Sequence, residues 1–145
     1  MKKIALKYAL WMFAGFAGLF ILMHLFGLSE KAHLRVLNGF IHFAVLYLAI
    51  REYRRESPKS VNNYMTGVSV GMAVSVISVA LFTLGMSIYL GLDEPFFERL
   101  RLQSPFPEYF TPFTASLFIF VEGIAVGLIG SYIVTRVIDA QLEQA

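Results

Sequence analysis

Several ionisable and polar side chains of this sequence lie inside apolar stretches, away from the charged segments. Glu122 stands within the long apolar stretch 114–138, and His42 and Asn38 share a shorter one. His24 belongs to the first apolar stretch of the chain. A carboxylate and an imidazole that meet in such surroundings can hold or relay a proton. These four residues are therefore candidates for a buried polar site that handles protons.

Counting along the segments predicts that Glu122 and His42 lie at one depth. Each is eight residues into its own segment, or about 12 Å along a helix axis. Asn38 is one turn from His42 on the same face, and His24 lies nearer the outer surface. Three outcomes are open. The pair relays protons or ions, it is a satisfied internal hydrogen bond that fixes helix register, or the two side chains make no contact.

Other chemistry finds little support. Cysteine is absent, which excludes thiolate metal sites and a cysteine nucleophile. The sequence has no phosphate-binding glycine loop and no HExxH, so we predict no metal site and no enzyme. Haem held by His24 and His42 would need both imidazoles on one iron. Their estimated depths differ by roughly 6 Å, and we predict no cofactor.

The composition is that of a membrane protein. Of 145 residues, 57% are hydrophobic and 15% charged, with a mean hydropathy of +0.66. Soluble domains have about 45–50% apolar and about 25% charged residues. The pattern predicts one all-α domain, 1–145, with four transmembrane helices. These spans are 8–28, 34–50, 64–90 and 114–138.

Charged residues predict the orientation. With the N-terminus inside, eight lysines and arginines fall on the cytoplasmic side and four outside, which favours both termini in the cytoplasm. The outer loop after the third span contains Asp93 as a plausible N-cap and Pro95 in the first turn. Phe96, Phe97 and Leu100 would share one face, which predicts a short amphipathic helix at the membrane surface.

Small residues recur at four-residue intervals in the last two spans, and such rows allow close approach of helices. We predict that these spans pack against each other, with serine hydrogen bonds between them; homodimerisation is the alternative. The rows are Gly67, Gly71, Ser75 and Gly123, Gly127, Ser131.

A basic segment follows the second span, with Arg51, Arg54, Arg55 and Lys59. Such residues contact anionic lipid head groups at about 1 kcal/mol each, and docking of an acidic cytoplasmic partner is the alternative. In a chain this apolar, the basic segment does not indicate nucleic acid.

The order of sequence features resembles a family of small bacterial inner-membrane proteins known as a domain of unknown function. The resemblance covers nearly the whole chain and implies four helices in the inner membrane. It implies no catalytic residues. The segments that carry it are MKKIALKYAL, AIREYRRES, YMTGVSVGMAVSVISVALF, DEPFFERLR and VEGIAVGLIGSYIVTR.

Two function classes follow from these features. The first is a structural or accessory subunit that binds a larger membrane assembly or itself. The second is a small oligomeric transporter or proton-coupled carrier that uses Glu122 and His42. The scarcity of chemical motifs favours the first.

Overall fold

Five α-helices account for most of the chain, and four of them are long enough to form a bundle. The computed structural model describes residues 1–28 and 31–144, without the side chains of 32, 33, 61 and 62. Short 3-10 turns cover Ala32–Arg35, Pro58–Asn62 and Pro107–Tyr109. The α-helices are α1 (Lys2–Leu25), α2 (Val36–Glu56), α3 (Tyr64–Leu92), α4 (Glu94–Gln103) and α5 (Pro112–Gln144).

Three of these helices, α1, α3 and α5, are long and apolar enough to cross a membrane. Among the described residues, α2 does not meet that standard, because its last turns carry most of the basic segment. Its uncharged part, 36–50, has 15 residues, which span about 22 Å. A hydrocarbon core is about 30 Å thick. A membrane protein with three candidate spans is therefore supported, and a fourth span stays a prediction.

The helix ends differ from the predicted spans in a regular way. α1 begins at Lys2, α2 continues to Glu56 and α5 continues to Gln144, because polar residues extend a helix beyond the part that hydropathy detects. α1 stops at Leu25, three residues before the predicted end. Gly27 follows with φ +69°, a left-handed conformation that only glycine adopts readily and that ends many helices.

The long helices pack around one apolar core. α3 contacts α1 and α5, and α2 contacts α1 and α5 while also touching α3 across the centre. The core is filled mainly by aliphatic side chains of all four helices, including Met12, Leu46, Ile50, Val70 and Val74.

The short helix α4 closes one end of the bundle, called here the α4 end. Phe96 is 1% exposed and packs with Met86, Leu90 and Ala115. The predicted cap is confirmed, because the carboxylate of Asp93 accepts a hydrogen bond of 3.1 Å from the Phe96 N–H. The opposite end, where α2 and α5 finish, is the Arg54 end.

The small-residue rows of α3 and α5 face each other within one chain. A Cβ atom built on Gly71 would lie 2.7 Å from Ser131 Cβ, and one on Gly123 would lie 2.6 Å from Val79 Cγ1. Gly127 faces Ser75 in the same way, and Gly67 faces Thr135. The glycines thus let the two backbones approach closely.

The predicted serine hydrogen bonds across this contact are not formed. Ser131 Oγ is buried and has no hydrogen-bond partner in the described part of the chain. Ser75 Oγ bonds instead to His42 of α2. The α3–α5 contact therefore rests on close van der Waals packing, the main source of helix association in lipid.

Replacing Gly71 by alanine tests this contact. We expect Gly71→Ala to destabilise the protein by about 1–3 kcal/mol, the usual result of overpacking. The matched control is Gly85→Ala, on the same helix but with no atom within 4 Å of its added Cβ. Thermal unfolding of both variants in detergent, followed by circular dichroism, gives the comparison. Equal melting temperatures would contradict the assigned contact.

Candidate functional site

A cavity of about 460 Å³ lies between α1, α2, α3 and α5. The cavity exists because α2 begins well short of the α4 end of the bundle. Arg35, just before α2, forms an ion pair with Glu122, which is ten residues after the start of α5. Ten helical residues span about 15 Å. The α4 end therefore lacks a fourth long helix, and the first turns of α2 line the space that remains. The polar lining residues are Arg35, Asn38, His42 and Glu122.

Glu122 lies at the mouth of this cavity and not in the bundle interior. Its carboxylate accepts a hydrogen bond from Arg35, and the two side chains are 47% and 46% exposed, respectively. The prediction that Glu122 is buried among the helices is therefore wrong, and its carboxylate pairs with Arg35 instead of with His42. Sequence reasoning missed Arg35, although its place as a charge at the start of the second apolar segment was a usable signal.

His42 lies deeper in the cavity. Its Nε2 atom is 2.8 Å from Ser75 Oγ, and its ring packs edge-on against Phe16. Only 3% of the residue is exposed. His42, Asn38 and Glu122 thus line one cavity as the depth count predicted, but serine and arginine are the direct partners of the imidazole and the carboxylate.

The side-chain oxygen of Asn38 is a hydrogen-bond acceptor that receives no hydrogen bond. Its Oδ1 atom is buried and has no hydrogen-bond partner among the described residues. A buried polar atom in this condition costs about 1–3 kcal/mol relative to a satisfied one. The unsatisfied oxygen is therefore a local cost to the fold in the wall of the cavity.

His24 lines a different and smaller cavity of about 250 Å³, which lies between α1 and α3. Its Nε2 atom is 3.1 Å from the Tyr89 hydroxyl, which donates a 2.6 Å hydrogen bond to Asp93. The hydrogen bond from Tyr89, together with the Phe96 N–H, holds the pKa of Asp93 below its usual value. His24 and His42 line separate cavities, so the fold does not bring them together as a pair of iron ligands. Among the described residues, no cluster of three or more metal-ligating side chains occurs.

The Arg54 end contains a buried ion pair that sequence reasoning missed. Arg54 Nε and Nη2 donate to the two carboxylate oxygens of Asp139 at 3.0 and 2.9 Å. Its third nitrogen donates to Thr66 Oγ1 at 2.8 Å and to the Ser60 carbonyl. Because the Arg54 side chain is fully buried, its predicted contact with lipid head groups is wrong.

Helical periodicity contained a signal for this pair. Arg54 continues the row of His42, Leu46 and Ile50 at four-residue spacing, and all of these residues are buried. Its neighbours on the other faces, Arg51, Arg55 and Lys59, are exposed. Those three remain candidates for contact with lipid head groups or with a partner.

Comparisons with protein-family models, with characterised protein sequences and with solved structures find no match. The resemblance described from the sequence therefore stays a prediction.

The Arg54–Asp139 pair predicts a non-additive mutational pattern. Arg54→Met or Asp139→Leu alone leaves one buried charge unpaired, and we expect each to cost about 3–5 kcal/mol. The double variant removes both charges and is expected to be more stable than either single variant. Arg55→Met, an exposed neighbour, is the control and should change stability by less than about 0.5 kcal/mol. Additive losses in chemical unfolding of the detergent-solubilised protein would argue against a coupled pair.

Proposed function

We propose that this protein is a four-helix integral membrane protein of the bacterial inner membrane, with both termini in the cytoplasm. Its main role is that of an accessory or interaction subunit in a larger membrane assembly. The packing of α2 against α1, α3 and α5 supports a fourth span, with the Arg54 end on the cytoplasmic side. The excess of lysine and arginine at that end supports this orientation.

The observation that carries the accessory role is an exposed aromatic surface on the α4 end. We call it the outer cap and define it as Leu102, Phe106, Tyr109 and Phe113. These side chains are 76%, 68%, 72% and 70% exposed, respectively. Leu102 belongs to α4, which Phe96 packs against the bundle, and the other three lie between α4 and the first turn of α5.

A second membrane subunit is the occupant that fits the outer cap. Aromatic residues and arginine are enriched at protein interfaces, and the cap combines its aromatics with Arg99 and Arg101 of α4. A Glu98–Arg101 ion pair at 3.2 Å keeps part of this charge balanced. The partner is therefore expected to present apolar side chains with a polar rim at the level of the outer membrane surface.

Loss of the two central aromatic side chains tests the outer cap. We expect a Phe106→Ala, Tyr109→Ala double variant to lose its partner during gentle solubilisation, because both side chains are exposed and support no core. Its melting temperature should stay unchanged. Sizing followed by mass spectrometry of co-migrating chains is the measurement.

The matched control is Phe118→Ala, since Phe118 is 67% exposed on the flank of α5. A control that loses the partner equally would remove the special role of the outer cap. Native protein that travels without any other subunit would remove the accessory role itself.

The cavity favours a second candidate function, a small oligomeric proton-coupled carrier. Glu122 and His42 line the same space, and Asn38 adds an unsatisfied acceptor there. Acidic and imidazole side chains at membrane depth are the usual components of proton relays. The short chain would need further copies to enclose a path.

Glu122→Gln separates the two candidates. Glutamine keeps the shape and the hydrogen bond to Arg35 but cannot exchange a proton, so a carrier is expected to lose at least about ten-fold in proton flux in proteoliposomes. Glu98→Gln is the control, because it alters an exposed carboxylate that also pairs with arginine. Unchanged flux in Glu122→Gln would exclude proton exchange at this position and leave the accessory role.

A further inference from the structure

The ion pair between Arg35 and Glu122 lies on the side of the bundle, far from both ends of α5. Glu122 is ten residues after the start of α5, or about 15 Å along the helix axis. The next charged residue towards the C-terminus is Arg136, 14 residues further on, or about 21 Å away. Both side chains of the pair are nearly half exposed. In the proposed membrane embedding, they therefore lie at a depth where lipid tails surround the bundle.

The guanidinium group of Arg35 has hydrogen-bonding capacity that the fold does not use. It has five N–H donors, and among the described residues its side chain forms one hydrogen bond, from Nη2 to Oε2 of Glu122. Lipid tails accept no hydrogen bonds, so polar groups at membrane depth are stable only when protein, water or a polar ligand completes them. The pair therefore marks a face of the bundle that a polar partner covers.

We propose that a second copy of this chain covers this face, in a two-fold symmetric dimer whose axis runs beside the Arg35–Glu122 pair. The face is self-complementary in charge, because each copy presents one cation and one carboxylate. A two-fold rotation places Arg35 of one copy next to Glu122 of the other, and the same contact is repeated on the other side of the axis. The four groups then alternate in sign. This inference rests on the proposed membrane embedding.

The surface around the pair suits packing between helices in a membrane. Val36 and Phe40, one turn apart on α2, are 64% and 70% exposed. Ala125, one turn after Glu122 on α5, is exposed as well. A Cβ atom built on Gly39 would meet no atom within 4 Å. Small residues let a second backbone approach closely, and large apolar side chains beside them supply the van der Waals contact that drives helix association in lipid.

Such a dimer also closes the cavity behind the pair. Of the residues that line this cavity, only Arg35, Val36 and Glu122 are exposed, so its mouth lies within the proposed interface. The two cavities, each of about 460 Å³, then face each other across the axis. The second candidate function needs further copies of the chain to enclose a path, and this interface is where two copies meet.

Cross-linking between introduced cysteines tests the interface with the native charges in place. The chain contains no cysteine, so one introduced thiol reports on one position. Ala125→Cys places that thiol in the proposed interface. Ala14→Cys is the matched control, because Ala14 is an exposed alanine of α1 that lies about 160° around the helix from the buried Phe16.

Both cysteine variants are reconstituted in vesicles at a low protein-to-lipid ratio and treated with a short bifunctional maleimide. We expect Ala125→Cys to form covalent dimers at least about ten-fold faster than Ala14→Cys, because a dimer holds its two thiols at a high effective concentration. Equal rates for the two variants would overturn the proposal.

Charge reversal distinguishes contact between chains from contact within one chain. Arg35→Glu gives a chain with two acids at this face, and Glu122→Arg gives a chain with two bases. A dimer of either variant alone brings four like charges together, so we expect its self-association to be at least about ten-fold weaker. A mixture of the two variants places acids opposite bases, and we expect dimers of unlike chains to form. Energy transfer between differently labelled chains in vesicles is the measurement, and no recovery on mixing would contradict the dimer.

The controls keep the possible outcomes separate. Arg101→Glu reverses an exposed arginine that also pairs with a glutamate, and it should leave self-association unchanged. The Phe106→Ala, Tyr109→Ala variant should still dimerise while losing its partner. Dimers that travel without other subunits would remove the accessory role alone. Chains that float with vesicles without cross-linking through Ala125→Cys would remove the dimer alone, and chains that do not float would remove both the membrane embedding and the dimer.

Discussion

The buried hydrogen-bonded ion pair between Arg54 and Asp139 fixes where α2 sits in the bundle. Desolvating two charges is expensive, so such a pair adds little net stability, although removing one partner alone is costly. Here the cost is offset because the guanidinium also bonds to Thr66 and to the Ser60 carbonyl. One side chain thus ties together the end of α2, the turn that follows it, the start of α3 and the end of α5.

The position of the cavity follows from that fixed end. α2 has 21 residues and is about 31 Å long, whereas α5 has 33 residues and is about 50 Å long. With its C-terminal end held at Asp139, α2 cannot reach the α4 end. Arg35 is consequently placed opposite the first third of α5, where Glu122 is the available carboxylate.

Local sequence signals predicted the helices. Which polar side chains contact each other depends on how the helices pack, and the sequence alone does not show this. Asp93 and Pro95 predicted the start of α4, because helix capping depends on residues that are close in sequence. His42 and Glu122 do not pair. Which side chains face each other depends on the rotation of each helix about its own axis, and packing against the other helices determines that rotation. Depth could be counted from the sequence, and the three polar residues do line one cavity. Asp139 was missed because it follows the apolar segment 114–138, where hydropathy contains no information about pairing.

Two arginine–carboxylate pairs, one inside the last turns of α2 and one just before its start, show why one end is structural and the other is a candidate site. At Arg54, protein atoms accept from all three guanidinium nitrogens, and the pair is shielded from the surroundings. The Arg35–Glu122 ion pair is about half exposed, and Asn38, which lines the same cavity, has an acceptor without a hydrogen bond. Lipid tails offer no hydrogen bonds, so a polar cluster at membrane depth is stable only when protein, water or a polar ligand completes it. The chain completes and encloses the first cluster by itself, whereas it leaves the Arg35–Glu122 pair open to its surroundings.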